Sequence, residues 1–406
     1  MQGNTFSRTS LILPIYIPAF LLATGGGIVY PTLSIYVKSF ELSYTLTMIV
    51  LAVGVIGNIP AGFFVERLGQ KASMLLGLSM IGASTIGMGI AQNFVQLIGA
   101  QLLGGIGNAF WMLARHAYMT EVIPIAQRGR AIALFGGVNR MGYFAGQFGA
   151  LFLGANLRFP FFVYAGIVLL NLVLCFFFIP HIPPALSHTP GKKVPYLHRL
   201  YHVFHVHRRI LATAGLGQVL VQTLRRGRAL IIPLYADEVV GLTTQEVRWT
   251  VMISSAVDMS MFPFAGFMMD RFGRRYATVP GIAIFATGMA LMPFTGTFTW
   301  LLVVAIFIGI GNGIASGTMM TLGADLAPRG APGFGIGSSK TPLVTKGEFL
   351  GLWRLTGDFG GAAGPVVVGN VADLLGLNYA GYVLGGLGYL AVGIFLRLVP
   401  ETLEKE

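Results

Sequence analysis

Long apolar stretches separated by short polar turns cover almost the whole chain. Runs such as LILPIYIPAFLLATGGGIVYPTL and FPFFVYAGIVLLNLVLCFFFIP hold no charged residue, and each is close to the ~20 residues that a helix needs to cross a membrane. The alternating pattern of transmembrane barrel strands is absent. The pattern predicts twelve membrane-spanning helices, at residues 11–37, 45–65, 73–92, 95–118, 131–155, 160–180, 210–235, 248–269, 277–296, 299–323, 348–374 and 378–398.

Composition supports an all-α integral membrane protein. The chain is 54% hydrophobic and 10% charged, with a mean hydropathy of +0.73, whereas a soluble domain is about 25% charged. The first apolar segment is longer than a signal-peptide core and lacks a small-residue cleavage pattern, so we interpret it as a true span. Cys175 is the single cysteine, which excludes an internal disulfide. We predict a multi-pass protein of the cell or inner membrane.

The longest polar interval, residues 181–209, separates six predicted spans from six. This divides the chain into an N-terminal six-helix bundle at 1–180, a basic cytoplasmic linker at 181–209 and a C-terminal six-helix bundle at 210–406. The linker holds four histidines, and their spacing allows a metal site. A basic helix lying in the membrane interface explains the linker more economically, so we predict no metal. These histidines are His198, His202, His205 and His207.

The basic residues next to the spans fall mostly on one side of the predicted membrane. Only Lys38, Arg158 and Arg248 fall on the other side. Because cytoplasmic loops carry the excess of Lys and Arg, both termini are predicted to be cytoplasmic. The net charge of +12 is then expected to face anionic lipid headgroups on that side, and nucleic acid is not an expected partner.

An internal repeat relates the two halves. GFFVERLGQK at 62–71 and GFMMDRFGRR at 266–275 are 204 residues apart (266 − 62), and GGIGNAF at 104–110 matches IGIGNGI at 308–314 with the same offset. Farther along, Gly142 and Gly360 are 218 residues apart (360 − 142). The second half therefore carries an insertion, which we place in the loop at 331–347. Duplication of a six-span unit is the simplest explanation.

The repeated loop motif G-x-x-x-[DE]-R-x-G-x-[KR], within two six-span halves, resembles the major facilitator superfamily over the whole chain. QRGRA at 127–131 and EFLGLWR at 348–354 look most like the drug-efflux and related antiporter branches. The chain has Gln101 where many relatives carry Arg, Gln147 where antiporter members read Pro, and Gln70 where the second copy has Arg274. The resemblance implies a twelve-helix fold of two six-helix bundles that works by alternating access.

The loop motifs are the first set of candidate functional residues. We expect Gly62 and Gly266 to allow close helix approach, and Gly69 and Gly273 to allow a tight turn. The resemblance implies that Glu66 meets the positive amide end of the eleventh span. A gating role competes here with simple anchoring of the topology. The motif residues are Gly62, Glu66, Arg67, Gly69 and Lys71 in the first copy and Gly266, Asp270, Arg271, Gly273, Arg274 and Arg275 in the second.

Polar and charged residues inside the spans are the second set, because such groups are costly in hydrocarbon and face a cavity or a partner. Asp258 is expected to pair with Arg225 or Arg226, either as a substrate or proton site or as a structural salt bridge. Arg228 could instead be an outer anchor. The candidates for a substrate or proton cavity are Arg225, Asp258, Arg226, Gln222, Gln218, Arg115, Asn108 and Asn312.

Individual members of this set have more specific expected places. Arg115 should line the inner half of the cavity, or else anchor a loop. Asn108 and Asn312 fit helix-packing hydrogen bonds better than ligand contacts. Arg140 and Asp358 occupy equivalent positions (358 − 140 = 218) and are predicted at an inner gate.

The absence of a nucleophile–base pair or a phosphate-binding loop argues against an enzyme, and no cofactor is predicted. We predict a monomeric secondary active transporter that moves a small organic solute by alternating access. Proton-coupled efflux of lipophilic, drug-like compounds, with Asp258 or Asp358 carrying the proton, is the first hypothesis. An organic-anion transporter that uses the membrane arginines is the second. A transporter-like sensor or scaffold without net transport is the third.

Overall fold

The computed structural model describes residues 12–56, 68–123, 125–179, 204–327 and 346–402. These residues are almost entirely helical, which confirms the predicted all-α, twelve-helix fold. The twelve helical segments are α1 (Ile12–Lys38), α2 (Tyr44–Ile56), α3 (Gln70–Ile90), α4 (Phe94–Val122), α5 (Ile125–Ala150), α6 (Phe159–Phe178), α7 (Leu216–Glu238), α8 (Thr244–Arg271), α9 (Arg274–Leu291), α10 (Phe298–Leu326), α11 (Lys346–Leu375) and α12 (Leu377–Arg397).

Eight of the described helices are long and apolar enough to cross a membrane: α1, α3, α4, α6, α8, α9, α10 and α12. Two of them are interrupted near their middle. In α8 the regular helix stops at Ser260 and resumes at Phe262, because Pro263 has no N–H to donate to the preceding turn. In α10 the interruption falls at Gly317.

The chain divides into two compact units. Unit 1 contains residues 1–187 together with 232–252, and unit 2 contains residues 188–231 together with 253–406. The connected ends of α7 and α8 thus belong to unit 1, where Gln245 donates to the carbonyl of Leu151 at 2.9 Å. The predicted boundaries near 180 and 210 and the 331–347 insertion fall largely outside the described residues and remain predictions.

Glycine contacts repeat between the two halves as the sequence repeat does. A Cβ added at Gly107 would lie 2.7 Å from the carbonyl oxygen of Gly77, and one at Gly311 would lie 2.9 Å from that of Gly281. Both pairs are 204 residues apart (281 − 77; 311 − 107). In unit 1, α3 therefore approaches α4 closely. In unit 2, α9 approaches α10 at the equivalent point.

A second pair of equivalent contacts joins α5 to α1 and α11 to α7. An added Cβ at Gly146 would overlap the carbonyl oxygen of Thr24, and one at Gly364 would lie 2.8 Å from that of Thr223. Gly364 follows Gly146 by the 218-residue offset (364 − 146). The duplication is therefore present in the packing as well as in the sequence.

The turns of the loop motifs also match. Gly69 and Gly273 have φ of 79° and 116°, a region that glycine enters at little cost, which confirms the predicted tight turns. Directly after them, Gln70 donates to Glu121, and Arg274 Nε donates to Asp325 at 3.1 Å. The acids at the ends of α4 and α10 thus pair with the first residue of α3 and of α9, respectively.

Three members of the first motif copy, Gly62, Glu66 and Arg67, lie outside the described residues. In the second copy the predicted close approach at Gly266 is wrong for the described part of the chain. No described atom lies within 4 Å of a Cβ added there, although Ala265 and Met269 on the same turns are buried. Gly266 therefore has room for a side chain.

Lys71 and Arg271 of the loop motifs contact aromatic rings, and Arg275 meets an acid through its backbone N–H. Lys71 Nζ lies 5.6 Å from the ring centre of Phe176, and the Arg271 guanidinium lies 5.6 Å from that of Phe267. In unit 2 the carboxylate of Glu401, just beyond α12, accepts hydrogen bonds from the backbone N–H groups of Arg274 and Arg275 at 2.8 and 3.0 Å. This carboxylate caps the positive N-terminus of α9.

The three basic residues on the predicted outer side each hold a loop carbonyl. Lys38 Nζ donates to Leu42 O at 2.6 Å, and Arg158 Nη2 donates to Ala91 O at 2.9 Å. Arg248, which is completely buried, donates to the carbonyl of Gly154 in the α5–α6 loop. Each of these side chains thus has a structural use in holding a loop on the predicted outer side.

Candidate functional site

Glycines on α10 place the main candidate site in unit 2. A Cβ at Gly309 would lie 2.5 Å from the carbonyl oxygen of Ser254 on α8, and one at Gly313 would overlap that of Asp258. Gly309 and Gly313 are four residues apart and share a helix face, so α10 presses directly against α8. Asn312, between them, is then close enough to bond the side chain of Asp258.

Asp258 is the centre of a polar network in unit 2. Its Oδ2 accepts a hydrogen bond from Asn312 Nδ2 at 2.5 Å and forms an ion pair with Arg228 Nη1 at 3.5 Å. The side chain of Asp258 keeps 20% of its surface exposed and that of Arg228 keeps 11%. Asp258 Oδ1 is buried and accepts no hydrogen bond from the described residues. The carboxylate thus has one oxygen with partners and one buried oxygen without a hydrogen-bond donor among the described residues.

Two further side chains extend the network. Arg228 Nη2 donates to Ser254 Oγ at 2.7 Å, and Ser254 Oγ donates to the carbonyl of Ala305 at 2.6 Å. Arg225 Nε donates to Asn312 Oδ1 at 3.0 Å. Asn312 therefore bridges Arg225 to Asp258, and a change in the charge of Asp258 would be felt by both arginines.

The predicted direct pair of Asp258 with Arg225 or Arg226 is wrong, because the carboxylate pairs with Arg228. Residues 225 and 228 are three apart and share the face of α7 that meets α8 and α10. Arg225 uses this position to bond Asn312 and the carbonyl of Ala315, the latter at 2.8 Å. Arg226 is turned toward α11 instead, since a Cβ at Gly361 would lie 3.7 Å from its Nε.

Arg228 belongs to the network, although its position near the end of the predicted span also suits an outer anchor. The signal that could have found it is its spacing of three residues from Arg225. Its guanidinium also lies 5.7 Å from the ring centre of Phe285 on α9, a distance typical of a cation–π contact. These contacts hold the cation inside unit 2.

The other residues on the polar face of α7 lie beside α11. Gln218 is nearly buried, and its Nε2 would lie 2.8 Å from a Cβ at Gly357. Gln222 is half-buried next to the same glycine. Arg226 and Asp358 are both exposed. The structure therefore separates α7 into one side joined to Asp258 and another side next to α11.

The expectation that Arg115 lines the inner cavity is wrong, because the side chain is 5% exposed and lies in the core of unit 1. Its guanidinium is 4.1 Å from the ring centre of Phe135 and 5.6 Å from that of Trp111. Aromatic faces attract the guanidinium, and its stem packs against them. This arrangement is structural.

The two asparagines at equivalent positions also differ. Asn108 is exposed. Within the described part of the chain its amide donates to Met112 Sδ of the same helix, at 3.7 Å, and not to another helix. The helix-packing bond predicted for Asn108 is therefore wrong, whereas Asn312 joins α10 to both α7 and α8. Arg140 is exposed on α5, and the gate role of Arg140 and Asp358 stays a prediction.

The linker histidines are described only in part. His205 and His207 lie within the described residues, whereas His198 and His202 do not. The ring of His207 packs edge-on against Phe349, with 5.2 Å between ring centres, and burial lowers the pKa of this histidine. Within the described residues no group of three or more His, Cys, Asp or Glu side chains could hold a metal ion.

Comparisons with known sequences and structures agree on one family. The family model described as Major Facilitator Superfamily matches residues 15–341. The chain is 22% identical over 397 residues to the uncharacterized MFS-type transporter MJ1560 of Methanocaldococcus jannaschii, with 95% of this chain and 98% of that protein covered. It is 24% identical over 371 residues to the multidrug resistance protein MdtH of Citrobacter koseri, with 89% and 86% covered.

Solved transporters share the fold. The D-xylose–proton symporter matches with a TM-score of 0.74 and 16% identity, covering 97% of this chain and 98% of that one. The nucleoside transporter NupG matches with a TM-score of 0.74 and 14% identity, covering 97% and 99%. At these identities the likeness concerns the fold alone.

Proposed function

The chain belongs to the major facilitator superfamily of membrane transporters, and we propose that within it the protein exports lipophilic, drug-like compounds in exchange for protons. The observation that carries this proposal is the Asp258–Arg228 ion pair inside α8 and α7, with a carboxylate that is still 20% exposed. The relatives named multidrug resistance protein MdtH support the class of substrate.

The network offers a direct way to couple a proton to a solute. A proton on Asp258 removes the charge that faces Arg228 and weakens the ion pair. Asn312 then still accepts the hydrogen bond from Arg225 but no longer donates to a charged carboxylate. The contacts that hold the arginine-bearing face of α7 are weaker, so this face can rearrange. A two-state contact of this kind is what an alternating-access cycle needs.

Transport by the wild-type protein tests the proposal. In proteoliposomes with an acidic lumen, outward flow of protons should drive ethidium inward, against its own gradient. Ethidium keeps its positive charge at every pH, so passive trapping as a weak base does not occur. We expect fluorescence to report accumulation that collapses when nigericin dissipates the pH gradient. Ethidium flux that is the same with and without the pH gradient would contradict proton exchange.

An organic-anion transporter is the second candidate, and one observation favours it. The network contains two arginines and a single carboxylate, so it carries an excess positive charge inside unit 2. A solute carboxylate would neutralise that charge and accept a charge-assisted hydrogen bond.

Arg225→Gln tests this second candidate. The variant should weaken benzoate uptake by about tenfold, the loss expected for one hydrogen bond to a charged group, as measured with radiolabelled benzoate in proteoliposomes. Arg397→Gln, at the end of α12, serves as the matched control and should transport like wild type. Benzoate uptake that survives Arg225→Gln unchanged would reject the anion site.

A further inference from the structure

Two exposed charges inside predicted spans of unit 2 are not used by the Asp258 network. They are Arg226 on α7 and Asp358 on α11. Within the described part of the chain, neither side chain forms a hydrogen bond or an ion pair. A charged group inside a span is expensive unless it meets water or a partner, so a charged solute would stabilise both groups.

Helices α7 and α11 run side by side in the same direction. Gly357 lies against Gln218 and Gln222, and farther along Gly364 lies against Thr223 and Arg226. Since later residues of one helix meet later residues of the other, the helices are parallel. Side chains on a helix lean toward its N-terminus, so the guanidinium of Arg226 lies near Gly361, where an added Cβ would be 3.7 Å from Nε.

Asp358 lies one turn before that point. It precedes Gly361 by three residues, so the two positions are neighbours on the surface of α11, about 5–6 Å apart between Cβ positions. No ion pair joins Asp358 to Arg226 in the described structure. A cation and an anion thus stand about one helical turn apart, with neither neutralising the other.

Apolar surface adjoins the anionic end of this arrangement. Leu355 and Phe359, on the turn before and the position after Asp358, are 48% and 70% exposed. A solute bound by only one charge would leave the opposite protein charge without a partner, which is unfavourable once water is displaced. A solute with both charges and an apolar body would satisfy all three features.

We propose that Arg226 and Asp358 form a binding site for an amphipathic zwitterion, whose acidic group meets Arg226 and whose basic group meets Asp358. The proposal rests on the transport function proposed above and narrows its substrate class. It also gives Asp358 a role in binding, separate from the proton-carrying network at Asp258.

A matched series of three aromatic compounds tests the site: 4-(aminomethyl)benzoate, which carries both charges, benzoate and benzylamine. Binding to the purified full-length protein would be measured by isothermal titration calorimetry. We expect the zwitterion to bind about tenfold more tightly than either single-charge compound, as one added charge-assisted contact allows. Equal affinities for the three compounds, or no binding of the zwitterion, would overturn the proposal.

Two variants separate the two charges. Asp358→Asn should lower the affinity for the zwitterion to that for benzoate, and Arg226→Gln should lower it to that for benzylamine. Arg354→Gln, an exposed arginine one turn before Asp358, is the matched control and should keep the wild-type preference. If both site variants keep the preference, Arg226 and Asp358 do not form the site.

The same protein can fail one test and pass the other. Accumulation of ethidium driven by the pH gradient without preference for the zwitterion would refute the zwitterion site alone. Preference for the zwitterion without any driven transport would refute the proposed function and leave a binding protein.

Discussion

Asp258→Asn is expected to remove the dependence of solute accumulation on the pH gradient. The asparagine side chain resembles the protonated acid in shape and neutrality, so it holds the network permanently in the state without the Arg228 ion pair. Coupling between two ligands is typically worth about 5- to 150-fold in an equilibrium. We therefore expect the accumulation ratio of ethidium in proteoliposomes with an acidic lumen to fall by a factor in that range.

Downhill movement of ethidium should persist in the Asp258→Asn variant, because neutralisation removes the coupling group and leaves the helices in place. Asp258→Glu should keep part of the coupling, since it retains an ionisable group. Asp373→Asn, which neutralises an exposed acid near the end of α11, is the control and should accumulate ethidium like wild type. Full coupling in Asp258→Asn would show that another group carries the proton.

The duplicated fold could be predicted from the sequence because membrane burial imposes a strong pattern. Hydrocarbon excludes charge, so the spans appear as uncharged runs and their ends as charged turns. The motif glycines Gly69 and Gly273 were predictable in the same way, because a tight turn needs a backbone that most residues avoid. Both have positive φ in the structure.

The partners inside the Asp258 network were less predictable. The sequence indicates that Arg225, Arg226 and Arg228 lie on one turn of α7, but the choice among them depends on how α7 is rotated relative to α8 and α10. That rotation is fixed by glycine contacts such as those of Gly309. Neighbouring residues point about 100° apart around a helix. Choosing the wrong one of two neighbours therefore selects an exposed side chain in place of the buried one that pairs with Asp258.

Equivalent positions in the two halves can also have different partners, which the sequence repeat does not reveal. Asn108 and Asn312 occupy the same place in the duplicated motif, yet only Asn312 faces an acid and an arginine. The repeat offset of 204 residues places Val50 of unit 1 at the position of Ser254 in unit 2 (254 − 204). It places Gly54 at the position of Asp258 (258 − 204). Unit 1 therefore lacks the polar partners at those positions that would give Asn108 the same role.

Glycine-to-alanine substitutions three residues apart on α5 are expected to change stability in opposite directions. At Gly146 an added Cβ would overlap the Thr24 carbonyl oxygen and lie 2.9 Å from the Cα of Gly27, so α1 and α5 must separate. Such overpacking costs about 1–3 kcal/mol. At Gly149 no described atom lies within 4 Å of the added Cβ, and alanine favours the helix by up to about 1 kcal/mol.

Thermal unfolding in detergent, followed by circular dichroism, measures both effects, with Gly149→Ala as the matched control for Gly146→Ala. The duplication supplies a second, independent comparison. Gly364→Ala should destabilise unit 2, because its Cβ would lie 2.8 Å from the Thr223 carbonyl oxygen, whereas a Cβ at Gly351 meets no described atom within 4 Å and Gly351→Ala should not destabilise it. If Gly146→Ala and Gly149→Ala shift the melting temperature equally, the close contact between α1 and α5 is not what Gly146 provides. A lower melting temperature for Gly146→Ala and Gly364→Ala, without a fall for either control, would show that equivalent glycine contacts stabilise α1 against α5 in unit 1 and α7 against α11 in unit 2.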